Sequence, residues 1–207
     1  MQTRTLILLL LLCSGKLFAQ TTEKFTPALM ETKSGAKVVY TSDRHSITFD
    51  VVSKKIVPTD NPNLINVDNK PLQFILIPNS ALSTTDTTLA RQKAELLGYA
   101  DYELDYVKKE VKMKISGVTE KWITINNKLF LFWTYNMPPD NKSVLQQLNL
   151  STLCFAHVLN LNNPVTQGET LETNSDLLLN AAKTLRLNNF KVDLEALYKQ
   201  LQDEMKQ

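Results

Sequence analysis

Trp122-Ile123-Thr124-Ile125-Asn126-Asn127-Lys128-Leu129-Phe130-Leu131-Phe132-Trp133-Thr134-Tyr135 is the stretch that decides the fold. Two runs of β-branched and aromatic residues flank an Asn-Asn pair. Asn tolerates the positive φ that tight hairpin turns demand, so the spacing predicts two antiparallel strands joined by a two-residue loop. A turn at Asn126-Asn127 sets Trp122 opposite Leu131. A turn one residue later sets Trp122 opposite Trp133, with two indoles side by side on one face.

Upstream of the hairpin, Val111, Met113 and Ile115 alternate with Lys112 and Lys114, which predicts a half-exposed strand broken at Gly117. Further back, Lys37-Val38-Val39-Tyr40 opens a β-rich region, and Ser46 to Val52 alternates with Ile47, Phe49 and Val51 on one face. Pro58 to Asn63 is dense in turn residues and reads as a surface loop. Leu72-Gln73-Phe74-Ile75-Leu76-Ile77 is almost continuously apolar and predicts an interior strand. A helix follows, capped by Ser83-Thr84-Thr85-Asp86, with Leu89, Lys93, Leu96 and Leu97 on one side and Gly98 as its C-cap.

Downstream, Pro138 to Asn141 ends the meander. Ser151 to Asn160 is apolar on both faces and reads as an interior strand or a buried helix, because periodicity does not separate the two in a short run. Two helices close the chain. Leu171, Leu178, Ala181, Ala182 and Leu185 share a face in the first; Leu194, Leu197, Tyr198, Leu201 and Met205 do so in the second. Strands, one helix, a meander and terminal helices together predict an α+β fold, a mainly antiparallel sheet covered by helices in an α/β/α sandwich-like arrangement.

The strand Gln73–Ile77, the helix near Asp86–Leu97 and the hairpin strands from Trp122 to Leu131 resemble the PsbP-like α/β/α sandwich family. That family's hairpin has an Asn/Gly-Lys turn before a Leu-aromatic strand; here Asn127 stands where the pattern prefers Gly. The resemblance spans residues 38–135. The strand at Ser151–Asn160 and the helix at Asp193–Met205 have no place in the family pattern. What the resemblance implies is a non-enzymatic binding or accessory role. It brings no functional residues that match positions in this chain.

The first nineteen residues carry a different message. Arg4 begins a basic start, Leu6 to Leu12 form a short apolar core, and Leu17-Phe18-Ala19 offers a small-residue exit before Gln20. That order predicts a secretory signal peptide over 1–19, a loosely packed arm over 20–36 and a single α+β domain over 37–207. The apolar run falls short of the roughly 20 residues that span a membrane. Cleavage near Ala19 makes the expected location periplasmic or extracellular. A lipoprotein anchored through Cys13 is the alternative, but Leu12 lacks the small size that such a site wants before its cysteine.

Removing the leader takes away Arg4 and Lys16 and leaves equal numbers of basic and acidic residues, 21 of each. No clustered positive charge speaks for nucleic acid or an anionic membrane. Cys154 becomes the only cysteine, so no internal disulfide can form. Gly-x-Ser-x-Gly, His-Glu-x-x-His and Gly-rich phosphate loops are absent, and no cofactor or metal is expected.

Three groups of residues carry candidate chemistry. Cys154 and His157 resemble a nucleophile with its base, or two metal ligands. On one strand, however, residues three apart point to opposite faces and could not meet. His45 reads as a solvated turn histidine. Asp101, Glu103 and Asp105 would share one face of a strand, where three carboxylates suit a hard cation or an acid–base pair; the competing reading is a solvated face balanced by nearby lysines. Trp122, Trp133 and Tyr135 suit a sugar- or peptide-binding sheet, against the plainer reading of core under a helix. The expected function is an exported, non-catalytic envelope protein binding a protein, peptide or glycan through Trp122, Trp133, Tyr135, Asp101, Glu103 and Asp105. The alternative is a hydrolase using one of those carboxylates.

Overall fold

A computed structural model describes residues 23–79 and 88–207. The expected leader, Cys13, the start of the expected arm and the expected cap Ser83–Asp86 lie outside the described residues. Among those residues the fold is α+β, with two antiparallel sheets and three helices. One sheet has four strands: β1 (Thr26–Thr32), β2 (Gly35–Thr41), β3 (Ser46–Val52) and the short β11 (Arg186–Asn188), in that order. The other contains β4 (Ile56–Pro58), β5 (Leu64–Val67), β6 (Lys70–Pro78), β7 (Ser116–Ile125), β8 (Lys128–Asn136), β9 (Val144–Cys154) and β10 (His157–Thr166). Their order is β4-β5-β6-β10-β9-β8-β7, so β6 is interior as its apolar run predicts, and β7 is an edge.

The deciding hairpin forms at Asn126-Asn127, with Ile125 paired to Lys128 and Trp122 to Leu131. Both turn residues take left-handed backbone angles, φ 49° and 62°, which Asn accepts at lower cost than most side chains. The alternative register with Trp122 opposite Trp133 is not the one adopted, and Trp133 faces Glu120.

Alternation divides the core in two. One face of the seven-stranded sheet, with Phe74, Phe130, Leu148, Leu150, Leu159 and Leu161, packs in one cluster with Val38, Tyr40, Ile47, Phe49 and Val51 of the four-stranded sheet. The helix α2 (Leu171–Lys183) joins this cluster through Leu178, Ala181 and Ala182 and lies on β3, β9 and β10. The opposite face of the large sheet holds a smaller cluster under α1 (Leu89–Lys109). A third helix, α3 (Leu194–Lys206), lies against β1 and buries Leu201.

Several expectations need correction. The expected arm holds β1, whose seven residues pair in register with β2. The strand forms despite Pro27 because β1 is a sheet edge, where the missing N–H costs least. Gly98 does not end α1, which runs on to Lys109 from an N-cap at Thr88. A mid-helix glycine costs about 1 kcal/mol, and burial of Ala100 and Leu104 beyond it offsets that. The extension makes 99–106 helical, so Asp101, Glu103 and Asp105 cannot line one face of a strand.

The residues Val111 to Ile115 are not a strand but an irregular link, with Lys112 at φ 55°. Gly117, expected to break the strand, lies inside β7 at an irregularity of register between Ser116 and Thr119. Ser151–Asn160 is neither one strand nor a helix. It is the end of β9, a two-residue turn at Phe155-Ala156 and the start of β10. Phe155 occupies the left-handed region (φ 54°), and its ring stacks 4.1 Å from the His45 ring. On α2, Leu171 is exposed, so the packed face begins one turn later.

Candidate functional site

Strand alternation sends Leu129, Leu131, Trp133 and Tyr135 of β8 to the α1 side of the sheet, where Leu96, Ala100 and Leu104 cover them. Trp133 is only 2% exposed, and its indole Nε1–H donates to Ser151 Oγ at 3.0 Å. Ser151 in turn donates to Asn160 Oδ1 at 2.8 Å, and Asn160 Nδ2 donates to Asn149 Oδ1 at 3.2 Å. Trp133 therefore belongs to the core, anchored by its polar edge. Tyr99 meets it edge-on at 6.4 Å, and Tyr135 stacks beside it at 6.2 Å. Trp122 sits under the Lys93 ammonium, 5.2 Å from the ring centroid, a geometry that favours a cation.

The three carboxylates separate on the helix. Asp101 and Asp105 lie one turn apart, both exposed, and Asp105 accepts from Lys109 Nζ at 2.8 Å. That hydrogen bond and the lysine charge hold the Asp105 carboxyl below its ordinary range. Glu103 is turned by the helical repeat toward the sheet and is half-buried; burial pushes its pKa up. Burial raises the Tyr99 and Tyr135 phenols, and the nearby Glu103 charge raises both further. The structure thus groups Glu103 with Tyr99, Tyr135 and Trp133, and leaves Asp101 and Asp105 apart.

Beside this group, on the same sheet face, lies a feature that sequence reasoning missed. Tyr135 pairs across to Gln147 on β9. Gln147 Nε2 donates to Asn162 Oδ1 at 3.2 Å, and Asn162 Nδ2 donates to Gln73 Oε1 at 2.8 Å. The three half-exposed amides form a band across β9, β10 and β6, continuous with Tyr135, which in turn has Glu103 near it. Asn149, 4% exposed and on the same face, has a buried Nδ2 with no protein acceptor. The signal was present in Gln147-Leu148-Asn149-Leu150-Ser151 and Asn160-Leu161-Asn162, where amide and hydroxyl side chains alternate with leucine at the strand period.

The Cys154–His157 expectation is corrected by topology. The two residues flank the tight turn and pair directly across β9 and β10, so their side chains share a face. Neither is primed for chemistry. Cys154 is fully buried, and burial pushes its thiol up to about 11. His157 is buried edge-on against Phe25, 4.9 Å between centroids, and its Nδ1 has no partner. Burial lowers its pKa more than the neighbouring Glu23 raises it.

His45 is not a solvated turn residue. Its Nδ1 lies 2.8 and 3.0 Å from the two Glu23 carboxylate oxygens, and Ser42 Oγ donates to the same carboxylate. Burial acts to raise the Glu23 pKa, but the hydrogen bonds from Ser42 and His45, with the charges of His45 and Arg44, outweigh it and leave it lowered. Ser42 Oγ also bonds the His45 backbone, accepting from its N–H at 2.8 Å, but the imidazole itself turns to the carboxylate and not to the hydroxyl, so the trio has no proton relay from hydroxyl to imidazole. Its effect is to clamp Glu23 to the β2–β3 turn. Among the described residues, no group of three His, Cys, Asp or Glu side chains is arranged to hold a metal, and no helix is long and apolar enough to cross a membrane.

No protein-family model matches the chain, and no curated protein matches it either. Among solved structures, the chain is similar to the solution structure of cyanobacterial PsbP (CyanoP) from Synechocystis sp. PCC 6803. The two are 12% identical, the match covers 84% of this chain and 96% of that one, and the TM-score is 0.43, a weak PsbP-like resemblance.

Proposed function

We propose that the protein is an exported, non-catalytic binding or accessory component of the cell envelope. Residues 1–19 are removed near Ala19, and the rest works as one domain on a protein, peptide or glycan. The observation that carries this reading is the band Gln147–Asn162–Gln73. Each amide offers both a donor and an acceptor on a half-exposed sheet surface, a chemistry that recognises neutral polar partners and performs no bond cleavage. Of the residues named from sequence, Tyr135 borders this band through its pairing with Gln147, and Glu103 lies near Tyr135. Trp133 lies on the same face and is tied to Ser151 of β9, Trp122 sits further out on the edge strand β7, and Asp101 and Asp105 stay outside the band.

The test is photo-crosslinking in the source cell with a benzophenone side chain at position 73 or 147, against one at position 101. Crosslinks to a defined envelope component from 73 and 147, lost in an Asn162→Ala background, are the expected result. Equal crosslinking from 101, or none from the band, would overturn the reading. Processing is checked separately, by the mass of the mature chain.

A further inference from the structure

A second site lies where the chain passes from one sheet to the other. β3 ends at Val52, Ser53 to Lys55 make the crossing, and Ile56 begins β4 at the edge of the large sheet. Facing that crossing is the β1–β2 turn. Between them opens a cleft of about 910 Å³. Its apolar floor is formed by the buried Ala36 and the half-buried Leu29 and Ile56, and its exposed rim carries Pro58 with Lys33, Lys54 and Lys55.

The walls are fixed by the backbone. Ser53 N–H donates to the Ser34 carbonyl at 2.9 Å, Asp68 N–H donates to the Lys55 carbonyl at 2.9 Å, and Lys55 N–H donates to Ser53 Oγ at 3.0 Å. Gly35 closes one corner at φ 146°, where an added Cβ would lie 2.1 Å from the Val51 carbonyl oxygen. Only glycine permits that approach of β2 to β3. The cleft is therefore built into the crossing, and its volume suits one small molecule of ordinary ligand size.

Charge selects the ligand. The three lysines are exposed and make no ion pair among the described residues, in contrast to Lys37 with Asp50 and Lys70 with Glu169. Two carboxylates also line the cleft. Asp68 accepts from the Lys55 N–H at 3.2 Å, and with Glu31 it sets two carboxylates against three ammonium groups, a net positive lining. We infer that this cleft binds a small amphiphilic anion, with its aliphatic body on the Leu29–Ile56 floor and its carboxylate or phosphate head among Lys33, Lys54 and Lys55. The site is separate from the amide band and stands or falls independently of it.

Calorimetry on the purified protein with octanoate, octyl phosphate, octanol and acetate tests the inference. One or both of the amphiphilic anions should bind at least tenfold more tightly than octanol or acetate. Which of the two binds more tightly identifies the head. Lys33→Ala with Lys55→Ala should weaken that binding about tenfold or more, the order expected for lost charge-assisted hydrogen bonds, while Lys142→Ala leaves it unchanged. Amide shifts in heteronuclear NMR spectra should centre on Ser34, Gly35 and Ser53. Equal affinity for octanol and octanoate, indifference to the double substitution, or shifts centred on the amide band would each overturn it.

Discussion

Cys154 and His157 face one another as a directly opposed pair across the turn Phe155-Ala156, both buried where β9 becomes β10. With its thiol pushed up to about 11 and no solvent access, Cys154 should resist alkylation by iodoacetamide at pH 7.5 in the folded protein. Stoichiometric labelling should appear only after unfolding in guanidinium. Rapid labelling of the native protein would show that the turn opens far more often than its packing implies.

Acid should destabilise the protein in two stages. His157 has a folded pKa below its ordinary value of 6.5, so its stabilising contribution is complete above that value and is lost as pH falls through the folded pKa. Glu23 is likewise lowered from 4.5, and its contribution disappears only at more acidic pH. Urea midpoints should therefore decline as pH falls below 6.5 and drop again below 4.5. A His157→Gln variant should flatten the first decline and keep the second.

Two glycines should respond in opposite senses. At Gly98, helical and with no atom beyond its own stretch of helix within 4 Å of where an added methyl would sit, alanine should stabilise the protein by about 1 kcal/mol. At Gly35, alanine meets a backbone carbonyl and a forbidden φ, and should cost more than about 2 kcal/mol. Thermal melts of the two variants check both signs.

The hairpin turn offers a further comparison. With Asn127 at φ 62°, Asn127→Gly should be neutral or slightly stabilising, whereas Asn127→Val should cost about 1–2 kcal/mol by forcing a β-branched residue into the left-handed region. Equal melting temperatures for the two variants would mean that the turn is not adopted in solution.

Burial separates two adjacent positions of α1 just as sharply. Leu104→Ala removes a side chain packed between α1 and the sheet and should cost about 2–5 kcal/mol, while Asp105→Asn, one residue on and exposed, should fall within about 0.5 kcal/mol. Denaturant titration distinguishes them.

The hairpin and the strands at Ser46–Val52 and Leu72–Ile77 are legible in the sequence because each carries its own periodicity and punctuation. What is not legible depends on partners distant in sequence. The helix α1 passes Gly98 because the face of β8 waits to bury Leu104, and no window around residue 98 contains β8. β1 reads as an arm because four of its seven side chains are only half-buried and its pairing lies in β2. The turn at Phe155-Ala156 carries no Gly, Asn or Pro, so Ser151–Asn160 reads as one element, and that reading inverts the geometry of Cys154 and His157. A strand period applied to 101–105 places all three acidic residues together, when the helix keeps only Glu103 near the sheet. The amide band is written in the alternation of β9 and β10, but amides there read as spacing between leucines until the strands are paired.

The edge position of β7 bears on what the molecule must avoid. Among the described residues, ten residues of strand end a seven-stranded sheet with one row of backbone groups unpaired, an open template for a second copy to zip onto. The register irregularity at Gly117, whose φ of 58° favours glycine, interrupts one end of that row, and Glu120 and Lys121 place charge at its middle. Such residues are the devices by which a long free margin is kept from pairing edge to edge with another copy.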